Sequence, residues 1–162
     1  MTIESLALTK PPVVTTDMLI RRPAAEVYEA FADPAMTTRF WFTKSSGRLE
    51  AGKQAQWEWE IYNISIPVAV KDIEPNQRIV ITWPGNSSLT TVEWTFTSRE
   101  AGITFVDITE TGFTGDGDQL VKQVTASTEG FTLVLAGIKA LLEHNIRLNL
   151  VADRYPTGLE EH

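Results

Sequence analysis

The carboxyl group that the sequence places best for chemistry belongs to Glu110, near the end of a predicted strand over residues 103–110. Side chains alternate across a strand, so Glu110 shares a face with the apolar Val106 and Ile108. Asp107 points to the other face, where we expect it to be solvated. If the apolar face is inward, the Glu110 carboxylate lies at the edge of a cavity. There it could bind a ligand hydroxyl or an arginine, or serve as an acid or base. The alternative is a structural salt bridge near the strand end.

The other reactive residue types lack the neighbours that catalysis or metal binding requires. His144 is the only histidine inside the predicted domain, and no His, Asp and Glu residues stand at the spacing of a metal site. Residues 114–118 are rich in Gly and Asp but lack the full pattern of a calcium loop. Cysteine is absent, which excludes disulfides and thiol catalysis. We therefore expect no catalytic residue, no metal ion and no cofactor, and the sequence favours binding over catalysis.

Charge and composition exclude several classes of partner. The chain carries 14 Lys and Arg against 21 Asp and Glu, a formal net charge of −7. A nucleic-acid binder needs a basic face, and docking on anionic lipid also needs positive charge. No apolar run approaches the roughly 20 residues of a spanning helix, and the N-terminus has no leader pattern. We expect a cytoplasmic protein without membrane insertion.

Apolar spacing predicts the elements that position these groups. A strand over residues 13–20 precedes two short helices over residues 23–38. Short β-like segments joined by tight turns fill residues 45–111, which is typical of an antiparallel meander. Three- and four-residue apolar steps without proline then predict one long amphipathic helix from about residue 118 to 150.

The length of the chain favours a single α+β domain. We expect residues 1–12 to form a flexible lead-in, residues 13–150 the domain and residues 151–162 a C-terminal tail. A sheet with one apolar face needs a cover, and the last helix is the only predicted element long enough to supply it.

Five motifs occur in order across about residues 18–150. Together they resemble the START-like, or helix-grip, superfamily (SRPBCC), and within it the homologues of the activator of heat-shock-protein-90 ATPase. The motifs are IRRPAAEVYEAF at 20–31, Trp41, VKDIEPNQRIVITW at 70–83, ITETGF at 108–113, and Gly130-Phe131 followed by Leu135 and Ile138.

The resemblance implies a curved antiparallel sheet of about six or seven strands wrapped on the long C-terminal helix, with two short helices after the first strand. It also implies a cavity between sheet and helix that binds a hydrophobic small molecule, lipid-, polyketide- or aromatic-like. A chaperone-ATPase-activator-like accessory protein and a cyclase- or hydrolase-like enzyme are the alternatives. Eukaryotic co-chaperones of the family carry an additional N-terminal domain, which we do not expect here because only about 17 residues precede the motifs.

Aromatic and apolar side chains on the inward faces are the candidate cavity wall, although a packed core would have the same sequence pattern. Trp41 and Phe42 follow the short helices. They form a gate for a ligand, a homodimer surface or a plug that seals the core. The predicted ligand-binding residues are Trp41, Trp57, Trp59, Trp94, Phe96, Val106, Ile108, Glu110, Phe131, Leu135 and Ile138.

Overall fold

One antiparallel sheet of seven strands and one long helix form most of the computed structural model, which describes residues 7–86 and 88–158. A short 3-10 turn, Glu60–Tyr62, joins the third and fourth strands. The elements in chain order are β1 (Val14–Ile20), α1 (Ala24–Ala32), α2 (Pro34–Thr37), β2 (Lys44–Ser45), β3 (Gln54–Trp59), β4 (Ile64–Glu74), β5 (Arg78–Pro84), β6 (Leu89–Glu100), β7 (Ile103–Thr111), α3 (Gly117–His144) and α4 (Leu150–Arg154).

The strands lie in the spatial order β1-β7-β6-β5-β4-β3-β2. The strands from β2 to β7 form a meander, and β1 pairs with β7 across a long connection. This arrangement with a long C-terminal helix confirms the predicted α+β helix-grip fold. Within the described residues, no helix is both long and apolar enough to span a membrane.

The inward face of the sheet follows the two-residue period of the sequence. On β6 the buried side chains are Thr90, Val92, Trp94 and Phe96. The register pairs Val92 with Glu110 on β7, and Glu110 is buried on the same inward face.

The long helix α3 starts with a capping box. The Gln119 N–H donates to the Asp116 carboxylate at 2.9 Å, and the Asp116 N–H donates to the Gln119 side chain at 2.8 Å. The helix ends at His144, about six residues before the predicted end. The cause is Asn145, which adopts a left-handed conformation with φ of 52° and donates its N–H to the Leu141 carbonyl at 2.9 Å.

The region predicted as a C-terminal tail contains α4, which packs against the turn between β3 and β4. The Tyr62 hydroxyl donates to the Tyr155 carbonyl at 2.9 Å, and it lies 3.2 Å from the Val151 carbonyl oxygen. Arg154 forms an ion pair with Glu129 of α3. These contacts dock the segment on the domain, although its sequence carries no strong periodic pattern.

Candidate functional site

A cleft of about 330 Å³ lies between the first half of α3 and the sheet. Its walls come from the end of β5, the end of β7 and the inward face of α3, and most of the side chains are apolar or aromatic. The lining residues are Trp41, Ile66, Trp83, Pro84, Gly85, Asn86, Glu110, Phe113, Lys122, Gln123, Ala126, Ser127, Gly130, Phe131 and Val134.

Glu110 is the buried polar group of this cleft, and its residue is only 4% exposed. Its Oε2 accepts hydrogen bonds from Trp83 Nε1 at 2.9 Å and from Thr90 Oγ1 at 2.5 Å. Its Oε1 accepts a hydrogen bond from the Ser127 hydroxyl. The β5–β6 register pairs Trp83 with Thr90, so the hairpin presents both donors together. Donors from β5, β6 and α3 therefore fix the orientation of the carboxylate.

All three donors to Glu110 are neutral. Among the described residues, no Lys, Arg or His forms an ion pair with this carboxylate. The structural salt bridge considered from the sequence is therefore not formed within residues 7–86 and 88–158. Lys122, an exposed residue of α3, is the other charged residue on the cleft wall. No group of three or more His, Asp and Glu side chains in the described part of the chain could hold a metal ion.

Trp41 stands at the junction between the cleft and two smaller cavities. A cavity of about 250 Å³ shares Trp41, Trp83 and Gly130 with the cleft and extends to Trp59 and α4. A further cavity of about 220 Å³ lies beyond it and also has Trp41 on its wall. The half-buried Trp41 ring contacts the rings of Phe42, Trp57, Trp59, Trp83, Trp94 and Phe131.

Tyr155 lies on the wall of the 250 Å³ cavity, with its hydroxyl 3.5 Å from Glu129 Oε1. Burial raises the pKa of its hydroxyl, and the neighbouring Glu129 carboxylate raises it further. The hydroxyl is therefore protonated at neutral pH.

The predicted ligand-binding residues fall into two groups. Trp41, Glu110 and Phe131 line the cleft, and Trp59 lines the adjoining cavity. The others belong to the packed core and line none of these three cavities, although Phe96 lies on a separate pocket beside the start of α1. This second group is Trp57, Trp94, Phe96, Val106, Ile108, Leu135 and Ile138.

The three residues that donate hydrogen bonds to Glu110 were not among the predicted ligand-binding residues, and two of them, Trp83 and Ser127, line the cleft. Trp83 and Thr90 are cross-strand neighbours, and Ser127 lies one helical turn before Phe131. The available signal was the spacing of Ser127, a small polar residue inside an otherwise apolar helical stripe.

Comparison with solved structures supports the fold independently. A protein of Staphylococcus saprophyticus is 34% identical, with a TM-score of 0.72 over 85% of this chain and 96% of that chain. The Aha1 dimer from Colwellia psychrerythraea is 17% identical, with a TM-score of 0.70 over 82% of this chain and 97% of that one. An HSP90 activator from Plasmodium falciparum is 17% identical, with a TM-score of 0.67 over 81% and 96%.

A search of curated proteins gave no match. The family model described as "Activator of Hsp90 ATPase homolog 1-like protein" matches residues 21–143, which is most of the chain and includes Glu110 and the first half of α3. The resemblance seen in the sequence motifs is thereby confirmed. The chain belongs to the family of Activator of Hsp90 ATPase homolog 1-like proteins.

Proposed function

We propose that this domain binds a hydrophobic small molecule, lipid-, polyketide- or aromatic-like, in the cleft between the sheet and α3. The observation that carries the proposal is a buried, hydrogen-bonded carboxylate on a wall that is otherwise mostly apolar and aromatic. Ligand sites typically combine such walls with a few oriented polar groups. Localisation in the cytoplasm stays a prediction.

The apolar wall supplies the driving force and Glu110 supplies the orientation. Burial of apolar ligand surface contributes about 25 cal/mol per Å² before the costs of binding are subtracted. Each carboxylate oxygen has two lone pairs, so Oε1, with one donor, keeps an acceptor position for a ligand. Because Trp83, Thr90 and Ser127 already hold the carboxylate, its side chain loses little conformational entropy when a ligand binds.

Gly130 allows the site to be blocked without touching its polar groups. It lies on the wall of the cleft and of the adjoining cavity, and no heavy atom lies within 4 Å of a Cβ built on it. In Gly130→Phe the new ring would occupy this space. Thr125→Phe is the matched control, because it adds the same ring to an exposed position of the same helix.

The test measures binding of the neutral fluorescent probe N-phenyl-1-naphthylamine by titration. We expect Gly130→Phe to weaken binding by on the order of tenfold or more, and Thr125→Phe to bind like the wild type. Equal binding by Gly130→Phe, with thermal unfolding that shows an intact fold, would rule out the cleft. Native mass spectrometry of the protein purified from cells, with release and identification of bound compounds, then addresses the natural ligand.

Chaperone-associated activity is the second candidate, favoured by the family assignment and by the similarity to an HSP90 activator from Plasmodium falciparum. A homodimer is part of this candidate, because a solved structure of similar fold is an Aha1 dimer. An ATPase assay with heat-shock protein 90 tests it: stimulation by this protein supports the candidate, and an unchanged rate counts against it.

The cyclase- or hydrolase-like alternative ranks below binding. It requires a second titratable group that faces Glu110 inside the cleft. Lys122 lines the same cleft, but within the described residues it forms no ion pair or hydrogen bond with Glu110.

A further inference from the structure

The carboxylate of Glu110 differs from two carboxylates of α3, those of Glu129 and Glu143. Glu143 is paired with Lys139, with Nζ and Oε2 2.6 Å apart, and Glu129 is paired with Arg154. Glu110 is buried and receives hydrogen bonds from neutral donors alone among the described residues. Burial of an ionised group is costly unless an opposite charge accompanies it. A cation in the cleft would supply the opposite charge that the described part of the chain does not bring to this carboxylate.

The wall around Glu110 also suits a cation. Trp41, Trp83, Phe113 and Phe131 line the same cleft, and the faces of Trp and Phe rings attract ammonium groups. The rings of Trp83 and Phe131 are stacked, with centroids 5.9 Å apart and planes 27° apart. The net charge of −7 further favours the approach of a positively charged molecule.

We propose that the cleft selects hydrophobic or aromatic amines in their protonated form. The ammonium group donates to the free acceptor position of Glu110 Oε1, and the apolar body lies against Trp41, Trp83 and Phe131. This inference rests on the proposed function and specifies the charge of its ligand. No covalent step is involved.

Lys122 is the one charged cleft residue that opposes an ammonium group. Lys122 is exposed, so solvent and salt screen the repulsion between its ammonium group and a bound amine. Its removal in Lys122→Met leaves Glu110 and all its donors in place. This variant should therefore raise the ratio of the affinity for an amine to the affinity for a neutral analogue by about twofold.

The decisive experiment compares phenethylamine with 2-phenylethanol, which differ in the ammonium and hydroxyl groups. Both are titrated against bound N-phenyl-1-naphthylamine at constant ionic strength and neutral pH. We expect the amine to displace the probe with an affinity at least about tenfold higher than that of the alcohol. In Glu110→Gln the advantage of the amine over the alcohol should disappear, because a neutral amide replaces the carboxylate that pairs with the ammonium group.

Glu100→Gln is the matched control, because it removes the same charge from an exposed position at the end of β6. It should leave the preference for the amine intact, which separates the site from general attraction to an acidic protein. If Glu110→Gln fails to fold, the Lys122→Met comparison decides the same question.

The outcomes separate this inference from the proposed function. In one outcome the fluorescent probe binds, but the alcohol binds as tightly as the amine or more tightly. In another the probe binds and neither compound displaces it. Either result overturns the amine preference and leaves the cleft as a hydrophobic site. If the fluorescent probe itself does not bind, or binds equally to Gly130→Phe, the proposed function fails and the inference fails with it.

Discussion

The two halves of α3 face the same sheet but differ in how much of their surface is buried against it. Residues 131–144 bury Phe131, Val134, Leu135, Ile138 and Leu141 in the core, whereas in residues 117–130 only Gln123 is buried. The second half closes the core of the domain. The first half stands away from the sheet and forms one wall of the cleft that contains Glu110.

The difference follows from side-chain size and from the elements that pack on each half. The first half presents Ala126, Ser127 and Gly130 to the cleft. Apart from the Ser127 hydroxyl, which donates to Glu110, these small residues leave the gap open. The second half presents Leu135 and Ile138, which fill it. One helix can thus combine a stabilising half with a binding half, provided that small residues mark the boundary.

Leu135→Ala should have the largest effect on stability. Leu135 is fully buried, so the change removes buried methyl groups and leaves a cavity in a packed region. We expect a loss of about 2–5 kcal/mol in the free energy of unfolding, measured by urea denaturation. The control Val121→Ala removes apolar atoms from an exposed position of the first half and should change stability by less than about 0.5 kcal/mol. Equal losses would contradict the division of the helix.

Glu110→Leu should have the next largest effect. The hydrophobic side chain fits the apolar wall, but the donors of Trp83, Thr90 and Ser127 lose their acceptor. We expect a loss of about 1–3 kcal/mol in urea denaturation. Glu110→Gln keeps an acceptor oxygen and should lose less. If Glu110→Leu is as stable as the wild type, the carboxylate does not hold these three elements together.

The same contrast explains what the sequence could predict. The inward faces of β6 and β7 were readable because Val92, Trp94 and Ile108 repeat every second residue, and Glu110 followed from the same period. An inward residue can lie in the packed core or on the wall of the cleft. Which of the two occurs depends on how closely α3 packs on the sheet, and no local sequence pattern predicts that. Trp94 and Trp41 were therefore equivalent candidates, although only Trp41 lines the cleft.

Glu143, the paired carboxylate of the second half, allows a test by pH. Burial alone would raise its pKa, but hydrogen bonds from the Arg21 N–H and from Lys139 outweigh burial, and the pKa of Glu143 is lowered. A lowered pKa in the folded state stabilises the fold fully above the unfolded pKa of about 4.3, and this contribution is lost as the pH falls through the folded pKa.

We therefore expect Glu143→Gln to lose about 1 kcal/mol of stability at pH 7 and to approach the wild type as the pH falls below about 4. Urea denaturation of both proteins at several pH values measures the difference. A difference that stays constant from neutral pH to about pH 3 would show that the charge of Glu143 contributes nothing.

The smallest effect should come from a pair of glycines on α3. Gly130 lies in the helix with open space where a Cβ would be, so Gly130→Ala should gain about 0.5–1 kcal/mol from helix propensity. A Cβ on Gly137 would lie 3.2 Å from Phe40 Cβ and 3.3 Å from the Phe40 carbonyl oxygen, so Gly137→Ala should lose stability. Urea denaturation distinguishes the two signs. Because the two substitutions are chemically identical, opposite signs can arise only from their surroundings, whereas equal gains would mean that the second half is no more tightly packed than the first.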